Sequence, residues 1–119
     1  MTVTIVDDCD TIRQICNVVA RRMDFRTECF VDGQEFLDNY TPKAGVVLLG
    51  ITMPRKNGIE VLIELRELGW NLNVVAMSAG YGKKDTPYFL DLGAKSFLPK
   101  PFRPAEVATE INRALGRAV

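Results

Sequence analysis

Short apolar runs, most of them rich in β-branched residues, alternate along this chain with segments whose apolar residues recur at helical spacing, and the alternation holds from one end to the other. Val3–Val6, Thr27–Val31, Val46–Leu49, Val74–Met77 and Ser96–Leu98 read as strands. Between the first two, Ile12, Ile15, Cys16, Val19 and Met23 form one helical face, with Asp10 placed to cap the free amides of its first turn. Asp32-Gly33 breaks the second strand, and Phe36, Leu37 and Tyr40 mark a short second helix. Ile59, Leu62, Ile63 and Leu65 put an apolar side on a third helix, which Leu68-Gly69 ends. Asp85-Thr86-Pro87 opens a fourth that runs to Leu92-Gly93, and Pro104 opens a fifth with Val107, Ile111 and Leu115 facing inward. Strict alternation of five strands and five helices predicts right-handed crossovers and a parallel sheet covered by helices on both faces. Val46–Leu49 is apolar throughout, as a strand buried on both faces is.

The chain has 119 residues, which fits one domain spanning positions 1–119. Lys plus Arg and Asp plus Glu each number 15, so the formal charge is zero and no general electrostatic grip on nucleic acid or membrane is expected. No apolar run approaches the ~18 residues of a membrane span. The opening Met-Thr-Val-Thr-Ile-Val lacks a basic leader and a cleavage site, so a cytoplasmic location is expected. Met1 stands just before the first strand, which argues against a missing N-terminal domain. Cys9, Cys16 and Cys29 are odd in number and show no CxxC, and the chain has no histidine. A zinc site is therefore not expected, and reduced thiols are. The lack of histidine also removes the commonest general base.

In open parallel sheets, ligands bind beyond the carboxyl ends of the strands, near the point where strand order reverses. The residues that follow the strands are therefore the candidates. They are Asp7 and Asp8 after the first, Gly50, Ile51 and Thr52 after the third, Ser78 and Ala79 after the fourth, and Lys100 before Pro101 after the fifth. Asp32, after the second, would lie further out. Each alone is an ordinary turn or loop residue. Two acids, a hydroxyl and a lysine at the ends of three different strands suit a phosphate site: carboxylates hold Mg²⁺ through oxygen, lysine neutralises a phosphoryl oxygen, and the hydroxyl donates to another.

The ordered set resembles a response-regulator receiver domain. Ile5-Val6-Asp7-Asp8 is similar to the start of such a domain. Val46-Val47-Leu48-Leu49-Gly50-Ile51-Thr52-Met53-Pro54, followed by Asn57-Gly58, resembles its third strand and Met-Pro-x-x-x-Gly loop. Val75-Ala76-Met77-Ser78-Ala79 is similar to its fourth strand, and Gly93-Ala94 with Phe97-Leu98-Pro99-Lys100-Pro101-Phe102 to its fifth-strand region. The match spans essentially the whole chain. The resemblance implies a CheY-like, flavodoxin-like (βα)5 doubly wound sheet of strand order 2-1-3-4-5. It implies Asp7 and Asp8 as metal-binding acids with Asp8 the more direct ligand, and the Thr52 backbone carbonyl as a further ligand. It also implies Ser78 as switch hydroxyl, Phe97 as switch aromatic, Lys100 as phosphate-binding cation, and a cis Lys100–Pro101 bond.

One position departs. In that family an acid at the end of the third strand becomes an aspartyl phosphate, and here the position holds Gly50, which has no side chain to phosphorylate. Two carboxylates beside a lysine hold Mg²⁺ more weakly than three would, so no cofactor is required and Mg²⁺ is expected to bind weakly. Lys100 is expected to pair with Asp7 or Asp8. Rescue at Thr52 or Ser78 would need a base that the chain lacks. Two origins fit Gly50: a degenerate receiver that works without phosphorylation, or an ordinary phosphoaccepting response regulator, with Asp at 50, in substituted form. The first makes the chain a non-enzymatic interaction module of two-component signalling. Its partner would be a histidine kinase, phosphotransfer or output protein, bound at the face of the fourth helix, fifth strand and fifth helix. Phe97, Tyr81 and Tyr88 are candidate contacts there. A flavin or dinucleotide binder is the third reading, and Asp7-Asp8-Cys9-Asp10 disfavours it because that loop would repel phosphate. Gly80-Tyr81-Gly82-Lys83 fits no nucleotide loop and reads as a mobile one. Trp70, just past the third helix, is expected to be partly buried.

Overall fold

The computed structural model describes residues 1–119. Its strands are β1 (Thr2–Val6), β2 (Arg26–Phe30), β3 (Gly45–Gly50), β4 (Val74–Ser78) and β5 (Ser96–Pro99). Its helices are α1 (Asp10–Arg22), α2 (Gly33–Asn39), α3 (Gly58–Leu68), α4 (Thr86–Asp91) and α5 (Pro104–Ala114), with a 3-10 turn at Lys83–Asp85 leading into α4. All five strands pair in parallel in the order β2-β1-β3-β4-β5. This is the flavodoxin-like doubly wound sheet, and its strand order reverses between β1 and β3.

The period-2 geometry of a strand divides the core in two. On β3, Val46 and Leu48 join Val3, Ile5, Cys16, Val75, Leu98 and Ile111 beneath α1 and α5. Val47 and Leu49 face the other way, toward Phe36, Val61, Leu65, Phe89 and Phe97 beneath α2, α3 and α4. A continuous apolar strand is thus what two covered faces demand.

Two local expectations are corrected. Asp10 does not cap α1: Cys9 holds the cap position without a side-chain bond, and the Asp10 carboxylate pairs with Arg13 one turn on. As the first helical residue, Asp10 still meets the favourable end of the helix dipole. Ile63 is 45% exposed, because Val61, Leu62 and Leu65 already fill the buried stripe of α3. Asp32, after the edge strand β2, does lie further out than the ends of β1 and β3; it is buried and accepts from the backbone amide of Glu35 at the start of α2.

Candidate functional site

Strand register builds the site. Val6 pairs with Leu49 and Gly50 with Met77, so Asp7, Gly50 and Ser78 emerge side by side at the carboxyl edge, across the point where strand order reverses. Ser78 pairs with Pro99, and its carbonyl accepts from the Lys100 amide at 2.8 Å, which brings the end of β5 to the same edge. The Lys100–Pro101 peptide is cis.

The side chains converge unequally. Asp7 is fully buried, and both its oxygens are engaged: Oδ2 accepts from Lys100 Nζ at 2.8 Å and Oδ1 from the Cys9 amide at 3.0 Å. The pairing expected of Lys100 therefore goes to Asp7. Asp8 is exposed and makes no side-chain hydrogen bond or ion pair. Thr52 is exposed in the bend after β3. Ser78 is buried, and its Oγ accepts from the Gly80 amide at 3.1 Å, so the hydroxyl braces the loop that follows β4. No three acidic, histidine or cysteine side chains are grouped as a metal site.

Two arginines at this edge escaped the sequence reading. Arg13 donates from its guanidinium to the Asp7 carbonyl at 2.6 Å and pairs with Asp10, closing the site on the α1 side. Its spacing of three from Asp10 on a helix was the available signal. Arg55 makes a two-pronged contact with Asp32, at 2.9 and 3.2 Å, which ties the β3–α3 loop to the start of α2. Nothing in the sequence separates Arg55 from any solvated loop arginine. The Asp32 carboxyl is held below the usual aspartate range, first by the Glu35 amide and then by Arg55.

Gly58 completes the loop. A Cβ there would lie 2.4 Å from the Gly50 carbonyl oxygen, so only glycine lets α3 start this close to the end of β3. Asn57, read from sequence as a loop signal, is the cap of that helix and shares a reciprocal capping box with Glu60.

Behind Ser78, Phe97 on β5 is buried at 5% exposure and stacked on Phe89 of α4. It is not a surface contact, which corrects that part of the expectation. Tyr81 leans edge-on against Phe89 and parallel to Tyr88, which is 47% exposed. Trp70 is half-buried against Tyr40. No helix is long and apolar enough to cross a membrane.

Residues 3–112 match the response regulator receiver domain family. The response regulator SaeR of Staphylococcus aureus is 29% identical over 113 residues, covering 95% of this chain and 50% of that protein. This chain thus spans about half the length of the curated relatives it matches. Among solved structures, the receiver domain of the Francisella response regulator 1452 superposes with a TM-score of 0.84 at 25% identity, covering 97% of this chain and 96% of that one. A probable two-component system response regulator/GGDEF domain protein superposes at 0.85 and 26% identity, covering 98% of this chain and 49% of its own.

Proposed function

The chain belongs to the response regulator receiver domain family, and from that premise we propose that it is a receiver-like protein-interaction module of two-component signalling that is not phosphorylated at the usual position. One observation carries the reading. Gly50 ends β3 next to Asp7 and offers no side chain, and we assign it to the position that holds the phosphoacceptor acid in the family. In this reading Asp7 and Asp8 are the acidic pair, Thr52 contributes its carbonyl, Ser78 is the switch hydroxyl, Phe97 the switch aromatic and Lys100 the pocket cation. The chain is a pseudo-receiver without catalytic residues of its own.

Receiver domains work with histidine kinases or output domains of two-component systems. The partner surface proposed for this chain is the α4–β5–α5 face. Tyr88 and Tyr81 supply a paired aromatic contact whose rings lie 6.3 Å apart, and rigid aromatic surface of this kind costs little entropy to bury. Phe97 lies packed inside beneath this face, and in this reading a partner shifts the conformation only through its differential affinity for the two states.

The test is incubation with a small phosphodonor such as acetyl phosphate plus Mg²⁺, followed by intact-protein mass spectrometry, on the chain as it stands and on Gly50→Asp. The unaltered chain is expected to gain no phosphoryl group. Uptake at any of its residues sinks the reading.

A further inference from the structure

Gly50 does more than omit an acid. An ideal Cβ built on it lies 2.6 Å from Asp7 Oδ2, 3.1 Å from Asp7 Cγ and 3.2 Å from the Val6 carbonyl oxygen. The first of these is well inside van der Waals contact. The Asp7 carboxylate therefore stands in the space that any larger residue at position 50 would claim. It is also not free to yield, because one oxygen is committed to Lys100 and the other to the Cys9 amide. Turning it away from a new Cβ breaks at least one of these bonds, and the charge concerned is fully buried.

The divalent cation that the family implies does not fit these residues. A hard cation needs several oxygen ligands, with anionic ones to repay its dehydration. Here Asp7 is spent on an ammonium group, Asp8 is the one acid left over, no third acid joins them, and Lys100 places a positive charge directly against Asp7. Lys100 is itself 19% exposed and Asp7 fully buried, so the pair is desolvated enough for attraction to exceed what an exposed pair gains.

We propose that Gly50 is the residue that makes room for this ion pair, that Lys100 is the pocket's resident cation in place of a divalent metal, and that a Cβ at position 50 forces Asp7 and Lys100 apart whether or not it brings an acid. The proposal rests on placing the receiver pocket at Asp7, Gly50 and Lys100, and is independent of which partner the domain binds.

The decisive variant is Gly50→Ala, which adds the Cβ and no charge. In the unaltered chain, the Lys100 ammonium should give a protected ¹H–¹⁵N signal at low temperature, and Asp7→Asn should abolish it. Gly50→Ala should abolish it too. Titration with Mn²⁺ should leave the amide signals of Asp7, Asp8 and Gly50 without saturable broadening in both the unaltered chain and Gly50→Ala, and Gly50→Asp should introduce it. A Lys100 signal that survives Gly50→Ala overturns the proposal, as does saturable Mn²⁺ broadening in the unaltered chain. Should Gly50→Ala fail to fold, Gly50→Ser supplies an uncharged Cβ in its place: loss of its Lys100 signal supports the proposal and survival of that signal overturns it. Phosphoryl uptake bears on the functional reading and not on these signals, so the two can fail separately.

Discussion

The ring of Phe97 lies nearly parallel to that of Phe89, with centroids 4.7 Å apart and planes 10° from each other. Phe89 is fully buried, and α4, only six residues long, contributes it as its one buried residue. This contact is what holds α4 to β5. A helix so short has almost no stability of its own and depends on the side chain it buries.

Replacing Phe97 with alanine should therefore cost about 3–5 kcal/mol by loss of transfer energy and creation of a cavity. Phe97→Leu should cost much less. Denaturant unfolding measures the totals. Amide hydrogen exchange should show the local loss concentrated in Thr86–Asp91, and uniform loosening of the whole sheet would refute the role given to this stack.

Gly58→Ala should destabilise by about 1–3 kcal/mol, the usual cost of forcing extra volume into packed structure. The Cβ would meet the Gly50 carbonyl at 2.4 Å, an atom that cannot rotate aside. Gly82→Ala is the control, since nothing lies within 4 Å of its Cβ and its φ of −110° suits any residue. Equal melting temperatures for the two variants would show that the β3–α3 junction is looser than its geometry.

Asp32 makes stability depend on acid. Its carboxyl titrates lower in the folded chain than the ordinary 3.8, chiefly because the Glu35 amide donates to the charged form, with Arg55 adding to the effect. A depressed folded pKa gives stabilisation that is complete above the unfolded value and is lost as pH falls through the folded one. Asp32→Ala should therefore cost about 1 kcal/mol at neutral pH, as loss of a helix cap does. The difference from the unaltered chain should shrink once the pH is well below 3.8. A difference constant from neutral pH into acid would remove the charge from the explanation.

The three cysteines are free and should separate by reactivity. Burial, reinforced by the nearby Asp7 charge, pushes the Cys16 thiol up to about 12, and its side chain is inaccessible. Cys29 is exposed, though partial burial still raises its thiol. A maleimide at neutral pH should modify Cys9 and Cys29 in the native chain, and Cys16 only on unfolding. Native labelling of Cys16 at a rate comparable with the other two would mean that α1 opens far more readily than its packing implies.

Much of the fold was legible because parallel α/β structure writes itself into local pattern. Val46–Leu49 had to be apolar to serve two faces, and Val74–Met77 likewise. Strand ends then nominated Asp7, Gly50, Ser78 and Lys100, which the register does bring to one edge. What misled was the fine placement of polar groups. Asp10 carried a cap's residue type and sits one position inside the helix, and the cap that Asp32 makes on α2 and its contact with Arg55 were not foreseen.

Sequence alone determined the alternation, the covered sheet and the residue types at its carboxyl edge, since these follow from periodicity and chain connectivity. Only the tertiary structure decided which acid Lys100 would choose, with 93 positions separating it from Asp7, and that the chosen carboxylate would stand against Gly50. That choice depends on distances of a few ångströms between strands β1, β3 and β5. Nothing local to any of the three residues encodes it, because the competing partner, Asp8, is identical in chemistry and differs only in where the end of β1 points it.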